Sequence, residues 1–243
     1  MTALWIHEVV DRFWANVGEV PLEYPRDLAD VLLWAVPVDL APIPDLRIAA
    51  IDSWLAERQS EFQLAMADRP LRAAIVVHDG CGVLFVDSTD PPDERRFSIA
   101  HELAHYLVEY DAPRRQVGAR LGPSAIAVLD GRRAATWDER LQAVLSGVSL
   151  ATTQHLMERT PDGHLPGQHV SQAEQQADDL AFELLAPFDA VRARLSGGAD
   201  RRAVETLLCE TFGLPPSQAH VYARHLAPEP PAGSLFRRLF SVS

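Results

Sequence analysis

The sequence predicts an α+β fold that is mostly helical, with a small β-sheet beside one functionally marked helix. Apolar residues recur at helical spacing through most of the chain. Two β-rich runs, 73–77 and 82–87, flank an Asp-Gly pair typical of a hairpin turn. A helix predicted after Asp90 and the two prolines that follow it comes next, and it carries His-Glu-x-x-His at residues 101–105.

The His-Glu-x-x-His segment is the strongest functional signal in the chain. His101 and His105 are four residues apart and therefore project from one face of a helix. Two imidazoles at this spacing can bind one Zn²⁺ through nitrogen, and Glu102 lies beside them as a candidate general base. Because such groups are costly to bury without a partner, this pattern favours a metal site over a solvated stripe on a surface helix.

Composition limits the possible functions. The chain has 243 residues, enough for one large domain or two small ones, and its net charge of −12 disfavours general nucleic-acid binding. Cys81 and Cys209 are too distant in sequence for a Cys-x-x-Cys pair, so we expect a reducing cytoplasm. Neither a signal-peptide pattern nor an apolar run long enough to span a membrane is evident.

Periodicity and turn residues also predict the remaining elements. Helices are predicted over 2–16, 27–34, 51–67, 136–145, 172–187, 200–212 and 215–226, with a further short helix possible at 152–159. Thr136 and Glu139 are spaced as a capping box for the fourth of these. Three prolines predict extended or irregular chain over 36–48, residues 111–122 are predicted to be a loop, and 124–129 fit either helix or strand.

These elements predict four regions. Residues 1–70 form an N-terminal helical region, and residues 71–190 form the core with a long helical insertion at about 112–168. Residues 191–227 form C-terminal helices, and residues 228–243 a flexible tail.

A catalytic zinc site needs three protein ligands and one open position, so a third ligand must lie outside the motif. Glu174 on the predicted helix over 172–187 is the best candidate, and Asp178 lies four residues later on the same face. Asp178 can accept the free N–H of a ligating histidine, which would fix its tautomer. The alternative is that Ser171 and Glu174 form a capping box, so that Glu174 only closes the helix.

Two acidic residues nearer the motif are weaker candidates for the third ligand. Asp111 would need a sharp turn after His105, which Val108 does not favour, and a metzincin arrangement is disfavoured for the same reason. Glu109 lies one turn beyond His105, in a register that is predicted to point it away from the site.

Two stretches resemble the ImmA/IrrE family of bacterial zinc metallopeptidases. The first runs from Arg95 to Leu107 and reads RRFSIAHELAHYL; the second runs from Glu174 to Pro187 and reads EQQADDLAFELLAP. Ala104 stands where the family usually has glycine, and Ala186 where it usually has methionine. The resemblance covers about residues 70–190, but Glu174 lies 69 residues after His105, farther than is usual, which is why 112–168 is read as an insertion.

The resemblance implies a zincin-like fold with His101, His105 and Glu174 as zinc ligands and Glu102 as catalytic acid/base. It implies cleavage of a protein substrate, such as a helix-turn-helix repressor or an antitoxin-like partner. From the net charge and the lack of a long apolar run we expect no direct binding to nucleic acid or membrane. Zinc peptidases with this motif commonly hold substrate along a sheet edge, and we expect 82–87 to be that edge, although a plain structural hairpin fits equally well.

Several points stay open at this stage. Candidate donors to the oxyanion that forms during hydrolysis are Tyr106, Tyr110, His155, His164 and His169. A zinc-containing sensor or binding module that regulates a partner without proteolysis is the alternative function. A latent peptidase, held inactive by the insertion or by residues 235–240, is a third.

Overall fold

A three-stranded sheet with helices on both faces forms the centre of the molecule. The structure, a computed structural model, describes residues 3–58, 64, 66–78, 80–130, 132–146, 168–195 and 199–226. The strands are β1 Val38–Ile43, β2 Ala73–His78 and β3 Cys81–Asp87. The helices are α1 Leu4–Val17, α2 Leu32–Ala35, α3 Ile48–Glu57, α4 Pro92–His105, α5 Ala112–Leu121, α6 Ile126–Leu129, α7 Trp137–Ser146, α8 Gln168–Leu185, α9 Phe188–Arg194, α10 Arg201–Glu210 and α11 Pro216–Leu226. The predicted α+β, mostly helical fold is confirmed.

The sheet has the strand order β1-β3-β2, with β1 parallel and β2 antiparallel to β3. The predicted hairpin is confirmed, but the prediction that 82–87 forms an edge is wrong, because β1 pairs with the second side of β3. The prolines of 36–48 concealed this strand. Pro42 is tolerated in β1 because a proline on an edge strand can turn its missing N–H away from the ladder.

Side chains alternate between the two faces of the sheet and build two apolar clusters. Val38, Ile75 and Leu84 join the larger cluster, which includes buried residues of α1, α4 and α8. Val76 and Phe85 point the other way and pack with α3 in the smaller cluster. The sheet is therefore covered on both faces, and α4 lies against the face that also carries α8.

Several element boundaries differ from the prediction. The helix predicted over 27–34 is reduced to α2, and the helix predicted over 51–67 ends at Glu57. The segment 111–122, predicted to be a loop, is helical up to Leu121, because a proline is tolerated in the first turn of α5 and its Val117 is fully buried. Asp90 is not the cap of α4: Pro91 occupies that position, and no side chain caps the helix.

The remaining predictions concern a capping box, one ambiguous segment, and two segments that lie outside the described residues. The capping box of Thr136 and Glu139 is confirmed by reciprocal hydrogen bonds. Residues 124–129 form a short 3₁₀ turn followed by α6. The possible helix at 152–159 and the tail at 228–243 lie outside the described part of the chain. Within that part, no helix combines the length and the apolar composition needed to cross a membrane.

Asp87 ties together the chain segments at the end of β3. Its carboxylate accepts backbone N–H groups from Asp45 at 3.2 Å, Leu46 at 3.0 Å and Thr89 at 2.9 Å. Burial acts to raise the pKa of Asp87, but a hydrogen bond from the Thr89 hydroxyl, together with the three backbone ones, outweighs it and lowers that pKa. The ionised carboxylate therefore fixes the turn that leads into α4.

We expect Asp87→Ala to lower the free energy of unfolding by about 2 kcal/mol at pH 7, because several hydrogen bonds to a charged acceptor are lost. The lowered pKa means that Asp87 stabilises the fold above the pKa of the unfolded chain, about 3.9, and that this contribution is lost as the pH falls through the lower folded value. Urea unfolding at pH 7 and pH 3 measures both effects. Asp39→Ala, a change at an exposed residue of β1, is the control. An equal loss of stability at both pH values would contradict the role of the ionised form.

Candidate metal centre

Helix α4 carries its polar motif in a largely apolar setting. Asp93 and Glu94 lie in its first turn, where the positive end of the helix dipole favours acidic side chains. Phe97 and Leu103 are fully buried in the larger cluster and fix the rotation of the helix. This rotation leaves the histidine face of α4 directed toward α8.

Helix α8 supplies the acidic partner of this face. Phe97 packs against Phe182 of α8 with ring centroids 5.6 Å apart, and Phe182 stacks on Tyr222 of α11 at 4.5 Å. Because α8 begins at Gln168, Ser171 lies inside the helix and cannot be its N-cap. The capping interpretation of Glu174 is therefore wrong.

His101, His105 and Glu174 lie together, as the sequence motifs predicted. The two Nε2 atoms are 3.1 Å apart. Oε2 of Glu174 lies 3.3 Å from Nε2 of His101, and Oε1 of Glu174 lies 3.5 Å from Nε2 of His105. Tetrahedral ligands with zinc bonds of about 2.0–2.1 Å are separated by about 3.3–3.4 Å, so the two imidazoles and the carboxylate lie close enough to share a single zinc ion.

A hydrogen bond at Nδ1 of each imidazole determines that Nε2 is the nitrogen that faces the candidate metal position. Nδ1 of His101 lies 2.8 Å from the Asp178 carboxylate, and Nδ1 of His105 lies 2.8 Å from the Glu109 carboxylate. A carboxylate only accepts, so we assign the ring proton to Nδ1 in both neutral histidines. Both Nε2 lone pairs then face each other and Glu174. Because the two Nε2 atoms and the Glu174 carboxylate are all acceptors, they need a cation or a proton between them.

The electrostatics of the site favour positive charge. Burial disfavours the charged imidazolium of His101, but hydrogen bonds to Asp178 and Glu174, together with the charge of Glu102, raise the pKa of His101 to about 9. The negative potential that retains this proton also favours a metal cation in its place. His101, His105 and Glu174 therefore fit the metal cation that the His-Glu-x-x-His motif implies.

The candidate base and two of the candidate oxyanion donors lie within the described residues, whereas the other donors do so only in part or not at all. Glu102 is 2% exposed and lies next to His101 in the buried part of α4. Tyr106 is buried in the larger cluster, and its ring centroid lies 5.4 Å from that of Tyr110. Burial raises the pKa of the Tyr106 hydroxyl above the ordinary value for tyrosine. His169 belongs to α8, but its side chain is not described, and both His155 and His164 lie outside the described residues.

Glu109 has a place at the site that its rejection as a ligand did not predict. The chain continues from α4 as a π-helical turn, Tyr106–Asp111, and Glu109 lies in this turn. Its register excludes it as a ligand on the Nε2 side, as predicted, but brings it to the Nδ1 side of His105. The spacing of four residues on a helix was the available signal, because such residues are neighbours.

We predict that metal affinity continues to rise between pH 7 and pH 9. In the metal-free protein, the raised pKa keeps His101 protonated up to about pH 9, and a metal must displace this proton. The apparent affinity should therefore increase about tenfold per pH unit in this range and then level off. Competition with a chromophoric chelator measures it. Levelling off near pH 6.5, the ordinary value for histidine, would contradict the electrostatics described above.

Comparison with known proteins agrees with this geometry. Residues 69–123 match the family model of peptidase M78, described as an IrrE N-terminal-like domain. The match spans β2, β3, α4, the π-helical turn and α5, and it ends before α8. A search of curated proteins gives no match. Residues 69–123 are therefore similar to an IrrE N-terminal-like peptidase domain, in agreement with the first of the two motifs, and this similarity supports a metallopeptidase-type function with protein as the substrate.

Proposed function

We propose that the chain is a zinc-dependent endopeptidase, with His101, His105 and Glu174 as zinc ligands. The observation that carries this proposal is the close approach of three ligating groups: the two Nε2 atoms lie 3.1 Å apart, and the Glu174 carboxylate lies 3.3 Å from one and 3.5 Å from the other. Two imidazole nitrogens and one carboxylate oxygen form a donor set that suits zinc. Asp178 orients His101 by accepting its Nδ1–H.

The proposed reaction is hydrolysis of a peptide bond. Bound zinc would supply Lewis acidity, polarising the attacking water and the scissile carbonyl. Glu102 accepts a proton from that water and passes it to the leaving amine. A carboxylate that is only 2% exposed suits this role, because bulk water does not compete for its charge.

The sheet offers a place for an extended substrate. Since β3 is central, β2 is the better candidate for the strand that pairs with substrate. Helix α4 contacts β2 and β3, and no described strand pairs with the outer side of β2. A peptide added to this edge would be held by main-chain hydrogen bonds close to the helix that bears the metal ligands.

We propose that the natural substrate is a regulatory protein, such as a helix-turn-helix repressor or an antitoxin-like partner. The family resemblance supports this substrate class. The net charge of −12 is complementary to the basic surface of a DNA-binding regulator and would favour encounter with it. Both cysteines are free thiols, which suits a reducing cytoplasm.

Glu102→Gln should abolish cleavage without removing the metal. The amide preserves the shape of the side chain but cannot accept the proton, so we expect cleavage to fall at least 100-fold. Candidate helix-turn-helix regulators are co-expressed with wild type or variant, and their fragments are read by mass spectrometry. Metal content is measured in the same preparations, and we expect it to be unchanged.

Two control variants separate the possible outcomes. Glu174→Ala should lose both the metal and the cleavage, whereas Glu205→Ala, which breaks an exposed pair with His220, should change neither. Regulators that are cut equally by wild type and Glu102→Gln would contradict the catalytic proposal. Regulation that persists in Glu102→Gln without any cleavage would favour the binding-module alternative.

A further inference from the structure

Both histidines of the motif have a carboxylate on the nitrogen that faces away from the proposed metal. Asp178 of α8 serves His101 in this way. Glu109, in the π-helical turn, has the same relation to His105, at the same distance of 2.8 Å. Both histidine side chains are only 4% exposed, so water competes little for these hydrogen bonds.

The hydrogen bond to Glu109 determines which face of His105 is available to a metal. A carboxylate acceptor at Nδ1 holds the proton there and leaves the lone pair on Nε2. That lone pair faces Nε2 of His101 and the carboxylate of Glu174. Without an acceptor at Nδ1, the neutral ring could place its proton on Nε2, or rotate, and the site would lose a ligand in part of the population.

The π-helical turn is anchored at points that fix Glu109. Tyr106 at its start is buried in the larger cluster. The backbone N–H of Gly80, in the turn between β2 and β3, donates to the hydroxyl of Tyr110 at 2.7 Å. Gly80 has a φ of +89°, a conformation that glycine adopts without strain. Glu109 is thus held between two anchored tyrosines, and π-helical turns of this kind are frequent at functional sites.

We propose that Glu109 is a positioning residue for the metal centre: it accepts the Nδ1–H of His105 and so holds that ring in the orientation and tautomer needed for metal binding. This inference rests on the proposed function. It assigns Glu109 no contact with substrate and no place among the ligands. A purely helix-stabilising His–Glu pair, by contrast, would contribute only weakly to the fold and nothing to the metal.

A series of variants at Glu109 tests this role through metal affinity. We expect Glu109→Ala to weaken metal binding 10–100-fold, the usual cost of removing such a partner. Glu109→Gln keeps an oxygen that can accept from Nδ1 but loses the charge, so its affinity should lie between those of wild type and Glu109→Ala. Dissociation constants for Zn²⁺ and Co²⁺ are measured by chelator competition, and thermal unfolding of the metal-free proteins reports their folding.

The control is a second His–Glu pair with the same distance between Nδ1 and the carboxylate. His220 and Glu205 lie 2.8 Å apart on α11 and α10, where the imidazole is 56% exposed. Glu205→Ala should leave metal affinity at the wild-type value, since that histidine belongs to no ligand set among the described residues.

The outcomes separate this inference from the proposed function. The order wild type, Glu109→Gln, Glu109→Ala in decreasing affinity supports the positioning role. Wild-type affinity in both Glu109 variants, combined with loss of metal in Glu174→Ala, overturns the role of Glu109 and leaves the proposed function intact. Wild-type protein that binds no stoichiometric metal overturns both. If Glu109→Ala does not fold, a Glu109→Gln variant with wild-type affinity still overturns the inference.

Discussion

Two buried imidazole nitrogens and a half-buried carboxylate that face one another are the constraint on which the rest of the structure depends. The Nε2 atoms of His101 and His105 and the carboxylate of Glu174 lie within 3.5 Å of one another. In a protein interior of low dielectric constant such groups repel unless a proton or a cation lies between them. The contacts of α4 and α8 must therefore stabilise an arrangement that is unfavourable until positive charge arrives.

Residues far from the motif in sequence supply much of that stabilisation. The guanidinium of Arg26 lies 5.1 Å from the ring of Trp14 and donates to the carbonyl of Leu184, and its burial lowers its pKa. The hydroxyl of Tyr222 donates to the carbonyl of Ala186 just beyond α8. These contacts hold the C-terminal end of α8 to the N-terminal region and to α11. A region that supplies none of the proposed ligands thus helps to keep Glu174 in place.

The sequence was informative wherever the chemistry was local. A spacing of four residues placed His101 and His105 on one face, and the same spacing connected Glu174 with Asp178. The order of the strands was not accessible, because the pairing of β1 with β3 is long-range and the prolines near Pro42 made the segment look irregular. The place of Glu109 was not predicted: its spacing of four residues from His105 allows the contact on a helix, but the sequence does not signal the π-helical turn that carries it.

The central claim is that one zinc ion lies between α4 and α8. Anomalous X-ray scattering at the zinc edge, recorded from crystals of zinc-loaded protein, tests it most directly. We expect a single strong peak about 2.0–2.1 Å from Nε2 of both His101 and His105 and within about 2.2 Å of a Glu174 oxygen. A peak elsewhere, or no peak at this point in crystals shown to contain stoichiometric zinc, would contradict it.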